Sequence, residues 1–119
     1  MKIKLKRAYA QPSQYDGYRI LVDRLWPRGF TRETLKIDQW MREVAPSDAL
    51  RKWFSHDPKK WEEFLKRYKE ELNTNEAFQK LVELVKNKET VTLVYSAKDE
   101  EHNQAVALKM FIEEELKKV

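Results

Sequence analysis

Two short runs of mostly large apolar residues, Tyr18-Arg19-Ile20-Leu21-Val22 and Val91-Thr92-Leu93-Val94-Tyr95, bracket a long stretch of helical periodicity. Consecutive large aliphatics leave neither face of a strand for water, so both runs read as buried strands. Strands separated by helices imply a parallel or mostly parallel sheet with helices packed on it. Each run also empties into a polar loop. Asp23-Arg24-Leu25-Trp26-Pro27-Arg28-Gly29 follows the first, where Pro27 and Gly29 break regular structure. Ser96-Ala97-Lys98-Asp99-Glu100-Glu101-His102-Asn103 follows the second. In open α/β sheets these strand ends are where ligands bind.

Spacing places the remaining elements. Ile3 and Leu5 alternate with Lys2, Lys4 and Lys6, the pattern of an edge strand with one wet face. Asp16-Gly17 signals a turn before the second strand, over residues 18–23. The connection between these strands is too short for an ordinary crossover helix, which leaves the direction of the first strand open. Thr31 caps a turn leading into a helix that Pro46 ends, with Ile37, Trp40, Met41 and Val44 at i, i+3, i+4, i+7. Ser47 caps a short helix with Leu50, Trp53 and Phe54 inward. Asp57 and Pro58 suit the cap and first position of the next, whose stripe is Trp61, Phe64, Leu65, Tyr68 and Leu72. After Asn73-Thr74-Asn75, the residues Phe78, Leu81, Val82 and Val85 carry a further helix to Asn87. The third strand is Thr90 to Tyr95, and Asp99 is placed to cap a last helix from about Glu100 to Lys118. The expectation is one small α/β domain over residues 1–119, a mostly parallel sheet of three to four strands with about five helices.

Composition narrows the chemistry. Hydrophobic residues make up 41% and charged residues 37%, the profile of a globular chain. The absence of cysteine excludes disulfides, thiolate metal sites and a cysteine nucleophile. With two glycines there is no Walker A or dinucleotide motif, so ATP hydrolysis and NAD chemistry are disfavoured and no cofactor is expected. The net charge of +4 comes from 24 basic and 20 acidic residues, interleaved so that no single-sign block stands ready for a polyanion. The alternating N-terminus is no signal-peptide core and no stretch approaches transmembrane length. A soluble cytoplasmic protein without a membrane partner is expected; its oligomeric state is not legible.

If the two buried strands are parallel neighbours, Asp23, Arg24 and Arg28 face Tyr95, Ser96, Lys98, His102 and Asn103 across one crevice. The last helix would begin there, aiming free N–H groups into it. Two arginines, a lysine and a helix N-terminus make a site for phosphate, carboxylate or sulfate, since the guanidinium fork suits bidentate oxyanion contacts. Arg24, Arg28 and Lys98 would bind a small anionic ligand, with Asp23 orienting the arginines and Asp99 and Asn103 completing the wall. The plainer alternative is a set of ion pairs, Asp23 with Arg24 or Asp99 with Arg28, tying loops together. Trp26 either stacks on a base or ring, or plugs the core edge. His102, one turn from Lys98 and Asp99, is the proton-transfer candidate, with capping as its other role. His56 beside Asp57 is explained by capping, a functional role being secondary. Ser96 lacks a local base or glycine elbow. No HExxH, Cys/His cluster or EF-hand spacing occurs, so no metal site is expected. A second class of function uses the same arginines, Trp26 and a stripe of Lys2, Lys4, Lys6, Arg7 and Arg32 to bind nucleic acid.

Three strings, in order and spacing, resemble the YeaO-like branch of the domain-of-unknown-function family four-eight-eight. They are Val22-Asp23-Arg24-Leu25-Trp26-Pro27-Arg28-Gly29, Leu50-Arg51-Lys52-Trp53-Phe54 with His56-Asp57-Pro58, and Tyr95-Ser96-Ala97-Lys98-Asp99 with His102-Asn103. The resemblance implies a small single-domain α/β protein and assigns no activity, substrate or cofactor. The wider family looks as if it carries a cysteine and an arginine in the loop after the last strand, similar to anion-holding loops of sulfur-transfer enzymes and phosphatases. Here that loop begins Tyr95-Ser96-Ala97 and holds no thiol, so cysteine chemistry does not transfer. The matching polar positions are Asp23, Arg24, Arg28, His56, Lys98, Asp99, His102 and Asn103, the same positions that strand-end reasoning selects.

Overall fold

The computed structural model describes residues 2–118. Its sheet has four parallel strands, β1 (Lys2–Arg7), β2 (Tyr18–Leu21), β3 (Gln39–Trp40) and β4 (Thr90–Tyr95), in the order β1-β4-β2-β3. The helices are α1 (Arg32–Leu35), α2 (Asp48–Phe54), α3 (Trp61–Asn73), α4 (Glu76–Lys86) and α5 (Gln104–Lys117). β4 lies between β1 and β2, registering Ile3 with Val91 on one side and Ile20 with Leu93 on the other. The mostly parallel α/β architecture expected from the alternation of strands and helices is therefore the one observed.

Residues alternate across the sheet, and the two faces differ. Ile3, Ile20, Val22, Val91, Leu93 and Tyr95 enter the main core with Phe64, Tyr68, Leu81, Leu108 and Ile112 from the helices. On the other face Leu21 and Val94 meet Ala8 and Leu35, under a cover of Trp26, Phe30, Ile37 and Trp40. Burial on both faces explains why β2 and β4 are near-continuous apolar runs.

The short β1–β2 connection manages its parallel crossover without a long helix. Residues 8–17 cross the minor face through a single 3₁₀ turn, Gln14–Asp16. Polar side chains of the sheet hold this return segment: Lys4 Nζ donates to the Tyr15 carbonyl at 3.1 Å, Lys6 Nζ to Asp16 at 3.0 Å, and Thr92 Oγ1 to the Asp16 carbonyl at 2.7 Å. The supposedly wet face of β1 is thus half-covered by its own connection. Gly17 then enters β2 at φ +66, where a Cβ would stand 2.3 Å from the Thr90 carbonyl oxygen.

Two expected helix features fall elsewhere. The helix expected to carry Ile37, Trp40, Met41 and Val44 is instead the one-turn α1, a two-residue strand and a 3₁₀ turn over Arg42–Val44. Lys36 adopts the left-handed conformation at φ 55 and ends α1. Asp38 then captures the strand edge, its carboxylate accepting the Arg19 N–H and its own N–H reaching the Arg19 carbonyl, both at 2.8 Å. Sheet hydrogen bonding overrides the helical spacing. The cap of the last helix is Asn103, whose side chain accepts the Val106 N–H at 3.0 Å; Asp99 instead closes the preceding turn, accepting from Glu101 and His102 N–H.

Candidate functional site

β2 and β4 are parallel neighbours, so their C-terminal loops open side by side. Between them and the start of α2 lies a crevice of about 680 Å³. One wall is Asp23 to Arg28, and the other is Ser96 to Asp99 with Asn103 and Gln104. Pro46, Arg51, Phe54 and His56, contributed by the α2 region, close the third side. Of the residues selected from sequence, only Tyr95 and His102 do not face the crevice.

Asp23 is the most constrained of these. It is 7% exposed, and its carboxylate faces no arginine. The Ser96 N–H and hydroxyl donate to Oδ2 at 2.9 and 2.5 Å, and Gln104 Nε2 donates to Oδ1. Asp23 therefore does not orient the arginines; it ties β2 to the β4–α5 loop and takes the N–H that an external anion would otherwise meet at Ser96. Burial pushes its carboxyl above the ordinary range, and the Ser96 and Gln104 hydrogen bonds and the nearby His56 offset that only in part.

Arg24 is fixed by backbone. Its Nε donates to the Pro46 carbonyl at 3.1 Å and its Nη2 to Ala45 at 3.2 Å, with Asp48 at 4.0 Å. Those carbonyls are in turn positioned by the next residue, since Ser47 caps α2 and its N–H and hydroxyl are gripped by Glu71 of α3 at 2.9 and 2.6 Å. Neutral carbonyls stiffen the guanidinium without neutralising it. Arg28 and Lys98 are exposed and form no ion pair among the described residues. The expected Asp99–Arg28 pair does not occur, because Asp99 Oδ2 meets His102 Nδ1 at 2.9 Å. The Glu101 N–H, the His102 ring and the His102 N–H together hold the Asp99 carboxyl below its ordinary range.

His102 packs its ring edge-on against Trp61, with centroids 5.3 Å apart, and so braces the loop from behind. Tyr95 is buried in the main core, where desolvation raises its phenol. Trp26 donates its indole N–H to the Phe30 carbonyl at 2.8 Å and meets Trp40 edge-on at 5.4 Å, the core-edge plug of the two readings open to it. His56 is exposed on the crevice wall at φ 57, directly after Ser55 at φ 46. Two successive left-handed residues without glycine cost about 1–3 kcal/mol each. Asp57 caps the following turn through the Lys59 N–H at 3.0 Å, so the expected capping belongs to Asp57 and leaves the His56 ring free of that duty.

Sequence reasoning missed Tyr9, Arg51 and Gln104. Gln104 adjoins the selected Asn103, and Arg51 lies inside the second resemblance string, so both had a local signal. Tyr9 had none; it reaches the rim because Ala8 continues β1 into the minor core, its N–H donating to the Tyr95 carbonyl at 2.6 Å. Arg7, also unselected for this role, supports the loop from outside, donating from Nε to the Ala97 carbonyl at 2.9 Å. Among the described residues no three His, Asp or Glu side chains converge as metal ligands, and no helix is long and apolar enough to cross a membrane.

The sheet and crevice together define a small α/β protein with a ligand-sized opening at its strand C-termini. The chain belongs to the family described as the inactive DUF488-N3 subclade, whose model matches residues 2–119. It is 43% identical over 108 residues to the uncharacterized protein YeaO of Escherichia coli K12, covering 91% of this chain and 94% of the relative. It is 35% identical over 107 residues to the uncharacterized protein Rv3073c of Mycobacterium tuberculosis H37Rv, covering 90% of each. No solved structure matches.

Proposed function

We propose that this crevice binds a small anionic ligand, phosphate- or carboxylate-like, and that the protein acts by binding rather than turnover, in the cytoplasm. One observation carries the reading. Four cations line a single opening, Arg24, Arg28, Arg51 and Lys98, while the carboxylates that line it with them, Asp23 and Asp99, are held by other groups. Arg51 has only a long contact to the exposed Asp48, 3.5 Å, which offsets little of its charge. An anion entering here meets guanidinium groups with free donors and one guanidinium already oriented. The family description as an inactive subclade and the placement of His102 behind the loop both support binding over proton transfer. In this reading His102 positions Asp99 and the loop.

The nucleic-acid alternative lacks comparable support. Lys4, Lys6 and Arg7 are spent on the return segment and the β4 loop, and the Trp26 indole is bonded within the fold. The test is a titration with inorganic phosphate, sulfate and acetate, followed by amide chemical shifts. Saturable shifts confined to residues 23–28, 51 and 96–104 are expected, weakened about tenfold or more by Arg28→Ala. Shifts that fail to saturate, or that survive Arg28→Ala with Lys98→Ala unchanged, overturn the proposal.

A further inference from the structure

We infer that the ligand is an amphipathic anion, an aromatic ring bearing a phosphate or carboxylate, and not a bare inorganic oxyanion; this rests on the anion-binding reading above. The crevice, about 680 Å³, falls in the range of ~300–1,000 Å³ typical of sites for ligands with a substantial body. A tetrahedral oxyanion gripped by two or three cations would leave most of it unused.

Its lining is divided. The cations sit on the loops and on α2, whereas Phe54, Phe64, Pro27 and Pro46 are buried side chains that line the crevice with apolar surface. Apolar surface adds nothing to the binding of phosphate alone; it contributes only when a ligand's own apolar surface leaves water with it.

A second observation is independent of the cavity floor. The exposed large hydrophobic side chains among the described residues are Tyr9, Tyr15, Leu25 and Met110, and two of the four stand at this one opening. Leu25 is 65% exposed although its neighbours Arg24 and Trp26 are both hydrogen-bonded into the fold. Tyr9 is fixed in place, its ring 5.2 Å from Phe30 and its hydroxyl donating to the Arg28 carbonyl at 3.4 Å. An apolar residue and an aromatic ring at the opening, with Arg28 lining it too and buried apolar groups in its wall, suit a flat ring entering with its charge toward the cations. Charge and apolar surface then act on different ends of one molecule.

Competitive titration of the intact protein with inorganic phosphate, phenyl phosphate and benzoate tests this. Phenyl phosphate is expected to bind at least about tenfold more tightly than inorganic phosphate, because burying the ring adds the transfer energy of its carbons. Leu25→Asn, at an exposed position, should remove most of that gain while leaving inorganic phosphate unchanged; Arg28→Ala should weaken both. If the two phosphates bind within twofold and Leu25→Asn is silent, the amphipathic inference fails and anion binding stands. If none of the three binds saturably, both fail.

Discussion

Two buried aspartates flank the same strand, and the protein treats them in opposite ways. Asp16, just before β2, is 1% exposed and sits between Arg19 at 2.7 Å and Lys6 at 3.0 Å. Asp23, just after β2, is 7% exposed and meets no cation, only the neutral donors of Ser96 and Gln104. Burial pushes both carboxyls up. At Asp16 the Ser13 N–H, Lys6 and Arg19 more than reverse it, so that its carboxyl lies below the ordinary value; at Asp23 burial prevails. The Asp16 cluster is closed. Arg19 spends its remaining donors on the Lys36 and Leu35 carbonyls, at 2.9 Å each, which also satisfies the end of α1. At the other end of β2 the aspartate is satisfied without using any cation, and the arginines of the crevice stay available. One end of the strand uses charge to hold the fold, and the other satisfies its carboxylate with neutral donors alone.

The largest expected effect breaks the closed end. Asp16→Ala strands Arg19 and part of Lys6 without their counter-charge and should destabilise the protein by about 3–5 kcal/mol, read from urea unfolding midpoints. Asp23→Ala should cost less, about 1–3 kcal/mol, because it leaves neutral donors unsatisfied while relieving a desolvated charge. A loss at Asp23 as large as at Asp16 would erase the contrast.

Acid sharpens it further, since the two carboxyls have opposite linkage. Asp16 has a lowered folded pKa, so its stabilisation is present above the ordinary unfolded value of 3.8 and is lost as pH falls through the lowered folded value. Asp23 has a raised folded pKa, so the folded state takes up its proton first. Between that raised value and 3.8, wild type should gain stability relative to Asp23→Ala as pH falls, measured by parallel urea titrations. The smallest effect on stability belongs to Arg28→Ala, within about 0.5 kcal/mol by thermal unfolding, because its guanidinium is exposed and has no partner among the described residues. Its effect is expected in anion binding alone.

Much of this arrangement was legible from residue order. The apolar runs marked β2 and β4, the caps Ser47 and Asp57 were placed correctly, and strand-end logic led to Asp23, Arg28 and Lys98. What misled was spacing that two structures share. Ile37, Trp40, Met41 and Val44 fit a helical stripe, yet Lys36 and Asp38 turn that segment into an edge strand through contacts with Arg19, distant in sequence. Asp99 and Asn103 are both good caps, and only the fold decides which begins α5. The partners of Asp23 were hidden for the same reason: Gln104 reaches it across a separation of 81 residues. Local pattern names the groups that reach a strand end, and tertiary geometry decides which of them neutralise one another.

The position of β4 between β1 and β2 also governs how the sheet can come into being. The first two strands do not pair with each other, and β3 offers β2 only two registered positions, Ile20 with Gln39 and Leu21 with Trp40. Until residues 90–95 have left the ribosome, β1 has no partner and β2 has only this short edge. Helices α2 to α4 can form earlier from local contacts, but the layer they pack on must wait for a closure spanning most of the chain, which slows folding relative to its helical content. The nascent protein thus spends much of its synthesis with β1 unpaired and β2 paired only along that short edge, and the arrival of β4 assembles the sheet and brings the two crevice loops together in one event.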